Sequence, residues 1–141
     1  MGLIRGLILD TSVLVDTERK RQDIRITLQQ VSSRTLQLQL AVSTVTLVEL
    51  AHGVARSQDA VVRETRERFL ADVRSQIPSI PVSDSIVVEA GLTAGNLRAQ
   101  GIVVGLADLL IGMTALQSGD GVLTSNLRHF RMLPGLEVME F

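Results

Sequence analysis

The chain contains no cysteine, no tryptophan and no tyrosine, and of its fourteen basic side chains only Lys20 is a lysine. Without cysteine there is no disulfide scaffold, no thiol nucleophile and no thiolate-ligated zinc or iron–sulfur centre. Two histidines, His52 and His129, are too few for a histidine-rich metal site. Aromatic residues make up 2% of the chain, all of them phenylalanine (Phe69, Phe130, Phe141). A platform on which successive nucleobases stack is therefore excluded. No apolar run approaches the roughly 18 residues a membrane span needs. The N-terminal segment lacks the basic stretch, long apolar stretch and cleavage site of a signal peptide, so a cytoplasmic protein is expected.

What is present is a large aliphatic share. Hydrophobic residues are 45% of 141, charged residues 21%, and the net charge is −1. A chain of this size buries roughly two-thirds of its unfolded surface, so a core of Leu, Ile, Val and Ala is expected. No repeat or linker interrupts it, and a single domain spanning residues 1–141 is predicted. The thirteen arginines suit bidentate phosphate contacts, but a compositional habit of the source is the simpler account of them, and the charge alone neither requires nor excludes nucleic acid.

Along the chain, strand and helix patterns alternate. Leu3 to Leu9 reads as a buried first strand ending at Asp10-Thr11-Ser12. The charged stretch Asp16 to Asp23 separates it from a helix over Ile24–Ser33. The alternation of Leu36, Leu38 and Leu40 with polar residues has strand periodicity. Ser43 or Thr44 caps a helix running to about Ala55, and Asp59 to Ser75 forms a long amphipathic helix with Val62, Phe69, Leu70 and Val73 to one side. Pro78 and Pro81 bracket a short extended segment. Ser83 or Asp84 caps the next helix, which Gly101 ends, and its Ala90, Gly91, Ala94 and Gly95 suit close contact with another helix or subunit. Ala107 to Gln117 is apolar nearly all round, as in a buried helix. Val122-Leu123-Thr124 and Glu137 to Met139 complete the strands. The order predicts an α/β protein, a three-layer α/β/α sandwich with a mostly parallel central sheet.

Three acids stand in apolar surroundings: Asp10 after the first strand, Glu49 in Val48-Glu49-Leu50, and Asp108 in Ala107-Asp108-Leu109. Buried carboxylates are costly unless paired, hydrogen-bonded or bound to a cation, and neither Glu49 nor Asp108 has a Lys or Arg within helical reach. In open α/β sheets, ligands bind beyond the carboxyl ends of the strands where the strand order reverses. A shared divalent cation explains all three acids, and oxygen-only donors favour Mg²⁺ or Mn²⁺ over zinc. Simpler readings stand beside this one: Asp10 suits a helix cap, and Asp108 suits the positive end of a helix. His52 reads as a surface or hinge residue, and His129 as either surface or site. A receiver-like signalling domain also clusters acids, but no lysine follows a late strand here.

Four ordered blocks carry a resemblance: Asp10-Thr11-Ser12, then Val48-Glu49-Leu50-Ala51-His52-Gly53, then Ala107-Asp108-Leu109-Leu110-Ile111-Gly112, then Leu123-Thr124-Ser125-Asn126-Leu127-Arg128-His129-Phe130. Together they resemble the signature of PIN-domain proteins, and most closely VapC-type toxins of type II toxin–antitoxin pairs. That resemblance implies a Mg²⁺- or Mn²⁺-dependent endoribonuclease, homodimeric, neutralised by a small VapB-like antitoxin. Asp10, Glu49 and Asp108 match the family's acidic metal-site residues. Asn126 falls where many members have Asp, and His129 where another acid is frequent, so one firmly held ion with a weaker second is expected. Thr11, Ser12 and Ser125 are candidates for bonding water or phosphate oxygens, and Arg98 and Arg128 for gripping phosphate. The alternatives are a PIN-fold RNA-processing nuclease without a toxin role, or a PIN module that binds without cleaving.

Overall fold

The computed structural model describes residues 3–141. Its centre is a five-stranded, all-parallel sheet of β1 (Gly6–Leu9), β2 (Gln39–Ser43), β3 (Ser79–Ile80), β4 (Gly121–Thr124) and β5 (Val138–Glu140), in the order β3-β2-β1-β4-β5. β1 and β4 are buried along their whole length, so both read as nearly continuous apolar runs rather than alternating ones. Side-chain alternation along β1 nonetheless decides the layers. Leu7 and Leu9 point into one core with Val13, Leu14, Ile24, Val31 and Val73, while Ile8 points into the other with Leu109, Ile111, Val122 and Phe130.

The crossovers are helical: α1 (Thr11–Arg19) and α2 (Ile24–Arg34) after β1, α3 (Thr44–Arg56) and α4 (Ala60–Gln76) after β2, α5 (Asp84–Ala99) and α6 (Leu106–Ser118) after β3, and the short α7 (Leu127–Phe130) after β4. Local chemistry sets several of their ends. Ser43 Oγ accepts the Val45 N–H, Asp59 accepts those of Val61 and Val62, and Ser83 accepts that of Ile86. Each such cap stabilises its helix by about 1 kcal/mol. α6 ends at Gly119, whose φ of 72° is the left-handed conformation that glycine adopts without strain.

Five expectations change. The first strand begins at Gly6, and Leu3 is exposed rather than buried in it. The stretch from Asp16 is not a spacer: α1 runs through it to Arg19, burying Val13, Leu14 and Thr17. The leucine alternation over 35–40 overstates β2, because Leu36 and Gln37 take positive φ in a turn and Leu36 is solvent-facing. Val62 is exposed on α4, so only Val73, with Phe69 and Leu70 partly covered, carries the apolar side of that helix. On α5, Ala90 is buried, but Gly91 and Gly95 face open space, so no helix among the described residues packs on them and only the subunit half of that expectation is left.

The strand order reverses between β1 and β4. A crevice therefore opens beyond their carboxyl ends, where Asp10 and the segment Ser125–Asn126 emerge.

Candidate active site

Asp10 leaves β1 at this crevice and formally precedes α1, yet its side chain caps no helical N–H. Oδ2 instead accepts hydrogen bonds from Ser12 Oγ and Thr124 Oγ1, both at 2.8 Å. Asp10 is 3% exposed and pairs with no Lys or Arg among the described residues. Thr124 also accepts the Asn126 N–H at 2.9 Å, so one buried hydroxyl ties the end of β1 to the turn after β4. The helix-cap reading of Asp10 fails because its carboxylate is turned toward the crevice network.

Asp108 enters from the first turn of α6. His129 Nδ1 on α7 lies 3.0 Å from Asp108 Oδ2. A carboxylate can only accept, so the imidazole carries its proton on Nδ1 in this bond. Partial burial pushes the Asp108 carboxyl above its ordinary pKa and the charge of Asp10 adds to the push, while the His129 hydrogen bond and charge oppose it. Asp10 and Asp108 line the same cleft, and the charge of the first reaches the second.

Glu49 comes from the second turn of α3 and takes the Thr11 hydroxyl on Oε1 at 2.6 Å; Thr11 Oγ1 also lies 3.0 Å from Thr46 Oγ1. The premise that all three acids are buried does not hold. Asp10 is buried and Asp108 partly so, but Glu49 is exposed, because α3 turns Thr46 inward and Val48 and Glu49 outward. The far end of α3 is fixed by α4: Arg66 Nη1 donates to Gly53 O and Ser57 Oγ, and Arg66 also pairs with Glu18 of α1 at 3.5 Å.

Asp10, Glu49, Asp108 and Asn126 all line one cleft of about 340 Å³, together with Thr11, Ser12, Asp16, Arg19 and Ser125. Among the described residues no three acidic or histidine side chains gather tightly enough to enclose an ion unaided. The hydroxyls of Thr11, Ser12 and Ser125 are engaged within the chain, Ser125 Oγ donating to Asp16 Oδ2 at 2.7 Å. Arg98 and Arg128 are exposed and do not line the cleft. His52 is likewise exposed and outside it. Asp16 and Arg19 are the residues that sequence reasoning missed. Their signal was the spacing Ser12, Val15, Asp16, Arg19, a single stripe along α1.

Fold and site together define a doubly wound α/β protein with an acidic cleft at its topological switch point. A family model described as PIN domain matches residues 7–135, and the chain belongs to the PIN-domain family. It is 31% identical over 134 residues to the ribonuclease VapC1 of Rickettsia felis, covering 95% of each chain. It is also 31% identical over 139 residues to the tRNA(fMet)-specific endonuclease VapC of Salmonella typhimurium, covering 95% of this chain and 96% of that one. The crystal structure of VapBC2 from Rickettsia felis, bound to a DNA fragment from its promoter, shares the fold. Its TM-score is 0.81 at 24% identity, over 96% of this chain and 98% of that one.

Proposed function

We propose that this chain is a divalent-metal-dependent endoribonuclease acting as the toxin of a type II toxin–antitoxin pair. The observation that carries the chemistry is that Asp10 and Asp108 line one cleft with no Lys or Arg among the described residues paired to either. The donor set fits a hard cation. Asp10 Oδ2 is taken by two hydroxyls, no side-chain donor among the described residues takes Oδ1, and every candidate ligand is an oxygen. Two carboxylates with the remaining positions filled by water suit Mg²⁺ or Mn²⁺, which retain much of their hydration shell. When bound, such an ion supplies a nucleophile activated at neutral pH and offsets the charge that builds on the phosphate.

The protein's own part is positioning. Ser12 and Thr124 fix one oxygen of Asp10 and leave the other free to ligate. His129 holds Asp108 in a similar way. Glu49, braced by Thr11 at the rim, orients the attacking water, and the Asn126 amide bonds water or a phosphate oxygen without adding charge.

The toxin role draws on the VapC relatives and the VapBC neighbours, and it implies a small VapB-like antitoxin as partner. A homodimer is part of the proposal: Val88, Leu92, Gly91 and Gly95 form an exposed, shallow face on α5. No helix among the described residues is long and apolar enough to cross a membrane.

The test is cleavage of an RNA panel that includes tRNA(fMet), with Mg²⁺ or with chelator, alongside growth with and without a co-expressed VapB-like antitoxin. Metal-dependent cleavage, with arrest that the antitoxin relieves, supports the reading. Cleavage without arrest favours an RNA-processing nuclease. Asn126 favours a second reading, a PIN module that binds without cleaving, and RNA binding with no cleavage in any metal would establish it.

A further inference from the structure

Four carboxylates, those of Asp10, Asp16, Glu49 and Asp108, line the cleft, and among the described residues Arg19 is the only basic side chain that does so. A polyanion entering such a cleft meets repulsion that one divalent ion offsets only in part. Arg19 lies in the last turn of α1, on the stripe that carries Ser12, Val15 and Asp16. Its guanidinium makes no ion pair among the described residues, although all four of those acids line the same cleft. The neighbouring groups are already engaged: Asp16 accepts from Ser125, Glu49 from Thr11, and Glu18 pairs with Arg66. Arg19 also borders a second, smaller hollow lined by Val15, Glu18, Glu49, Leu50, Arg66 and Phe69, where Arg66 is paired with Glu18. A strand leaving the cleft by that route passes Arg19.

We propose that Arg19 is a substrate-binding residue that grips an RNA phosphate one or two nucleotides from the phosphate being cleaved. The proposal rests on the nuclease reading. At 1.5 Å per residue, Arg19 stands about 10 Å along α1 from Ser12, beyond the reacting phosphate but within reach of its neighbours. The planar guanidinium fork suits two oxygens of one phosphodiester, which a lysine at this position would hold only as a point charge.

The experiment compares wild type, Arg19→Ala and Arg19→Lys with Arg74→Ala, which makes the same charge change on an exposed part of α4 outside the cleft lining. Single-turnover RNA cleavage in Mg²⁺ is measured against enzyme concentration at several salt concentrations, so that half-saturation reports RNA binding with the ion in place. Circular dichroism verifies each fold. For Arg19→Ala the half-saturating concentration rises about tenfold, as for loss of an exposed charged hydrogen bond, while the maximal rate stays within about threefold. The slope of log affinity against log salt falls by about 0.7, one phosphate contact on a single strand. Arg19→Lys recovers the salt slope but only part of the affinity, and Arg74→Ala matches wild type. Unchanged half-saturation and salt slope in Arg19→Ala, with wild type active, overturn the role of Arg19 and leave the nuclease reading intact. Wild type that neither binds nor cleaves RNA overturns both.

Discussion

Thr124→Val removes one hydroxyl and nearly nothing else. Thr124 is fully buried, donates to Asp10 Oδ2 at 2.8 Å and accepts the Asn126 N–H at 2.9 Å. Valine fills the same volume, so no cavity term enters. A hydrogen bond to a charged acceptor contributes about 1.5–3 kcal/mol. The Asn126 amide sits in an exposed turn where water replaces its lost acceptor, so it adds little. Asp10 keeps the Ser12 donor and remains partly satisfied. The expected loss is therefore about 2 kcal/mol, which for a chain of this length lowers Tm by roughly 5–10 °C. Urea unfolding should show the lower midpoint with an unchanged m value, because the surface exposed on unfolding does not change. RNA cleavage should fall at least tenfold, since Asp10 loses one of the two donors that hold its Oδ2 and so orient the free Oδ1, and Thr124→Ser should restore most of it. A Thr124→Val protein with wild-type Tm and wild-type cleavage would refute the claim that this hydroxyl organises the site.

Asp108→Asn keeps an acceptor for His129 but removes a charge that burial and Asp10 disfavour. Because the folded-state pKa of Asp108 is raised, its ionisation costs stability above that pKa, and the cost fades as pH falls through it toward the ordinary aspartate value. In chelator at pH 7 the variant should melt above wild type, with the gap closing in acid; a lower Tm at neutral pH would contradict this, and cleavage should be lost throughout. Gly6→Ala places a methyl 2.5 Å from the Gln39 carbonyl of the paired strand. That backbone cannot swing aside, so thermal unfolding should report a loss of about 1–3 kcal/mol, and an unchanged Tm would show that β2 shifts freely.

Helix α3 was legible because its signals are local: Ser43 supplies the cap, and the helix ends one residue from where the pattern stops. The proline-bracketed β3 and the buried α6 were legible for the same reason. Helix α1 was not, since its buried face is short and its charged residues, Asp16 and Arg19 among them, face a cleft that exists only once β4 lies beside β1. The β2 region misled because leucine alternation is shared by a strand and by a turn whose Leu36 simply faces solvent. Within the site, the acids could be named from their apolar flanks, although Glu49 proved exposed. Their partners could not. The hydroxyls of Thr124 and Thr11 and the imidazole of His129 meet Asp10, Glu49 and Asp108 across 114, 38 and 21 residues of sequence, and only the fold brings them together.

The central claim is that Asp10 and Asp108 hold a divalent ion between them. Titrating the purified protein with Mn²⁺ and counting bound ions by electron paramagnetic resonance tests it without reference to any RNA. The account predicts one firmly bound Mn²⁺ per chain, lost in Asp10→Asn and in Asp108→Asn and weakened but retained in Glu49→Gln. Binding that survives unchanged in both aspartate variants would contradict it.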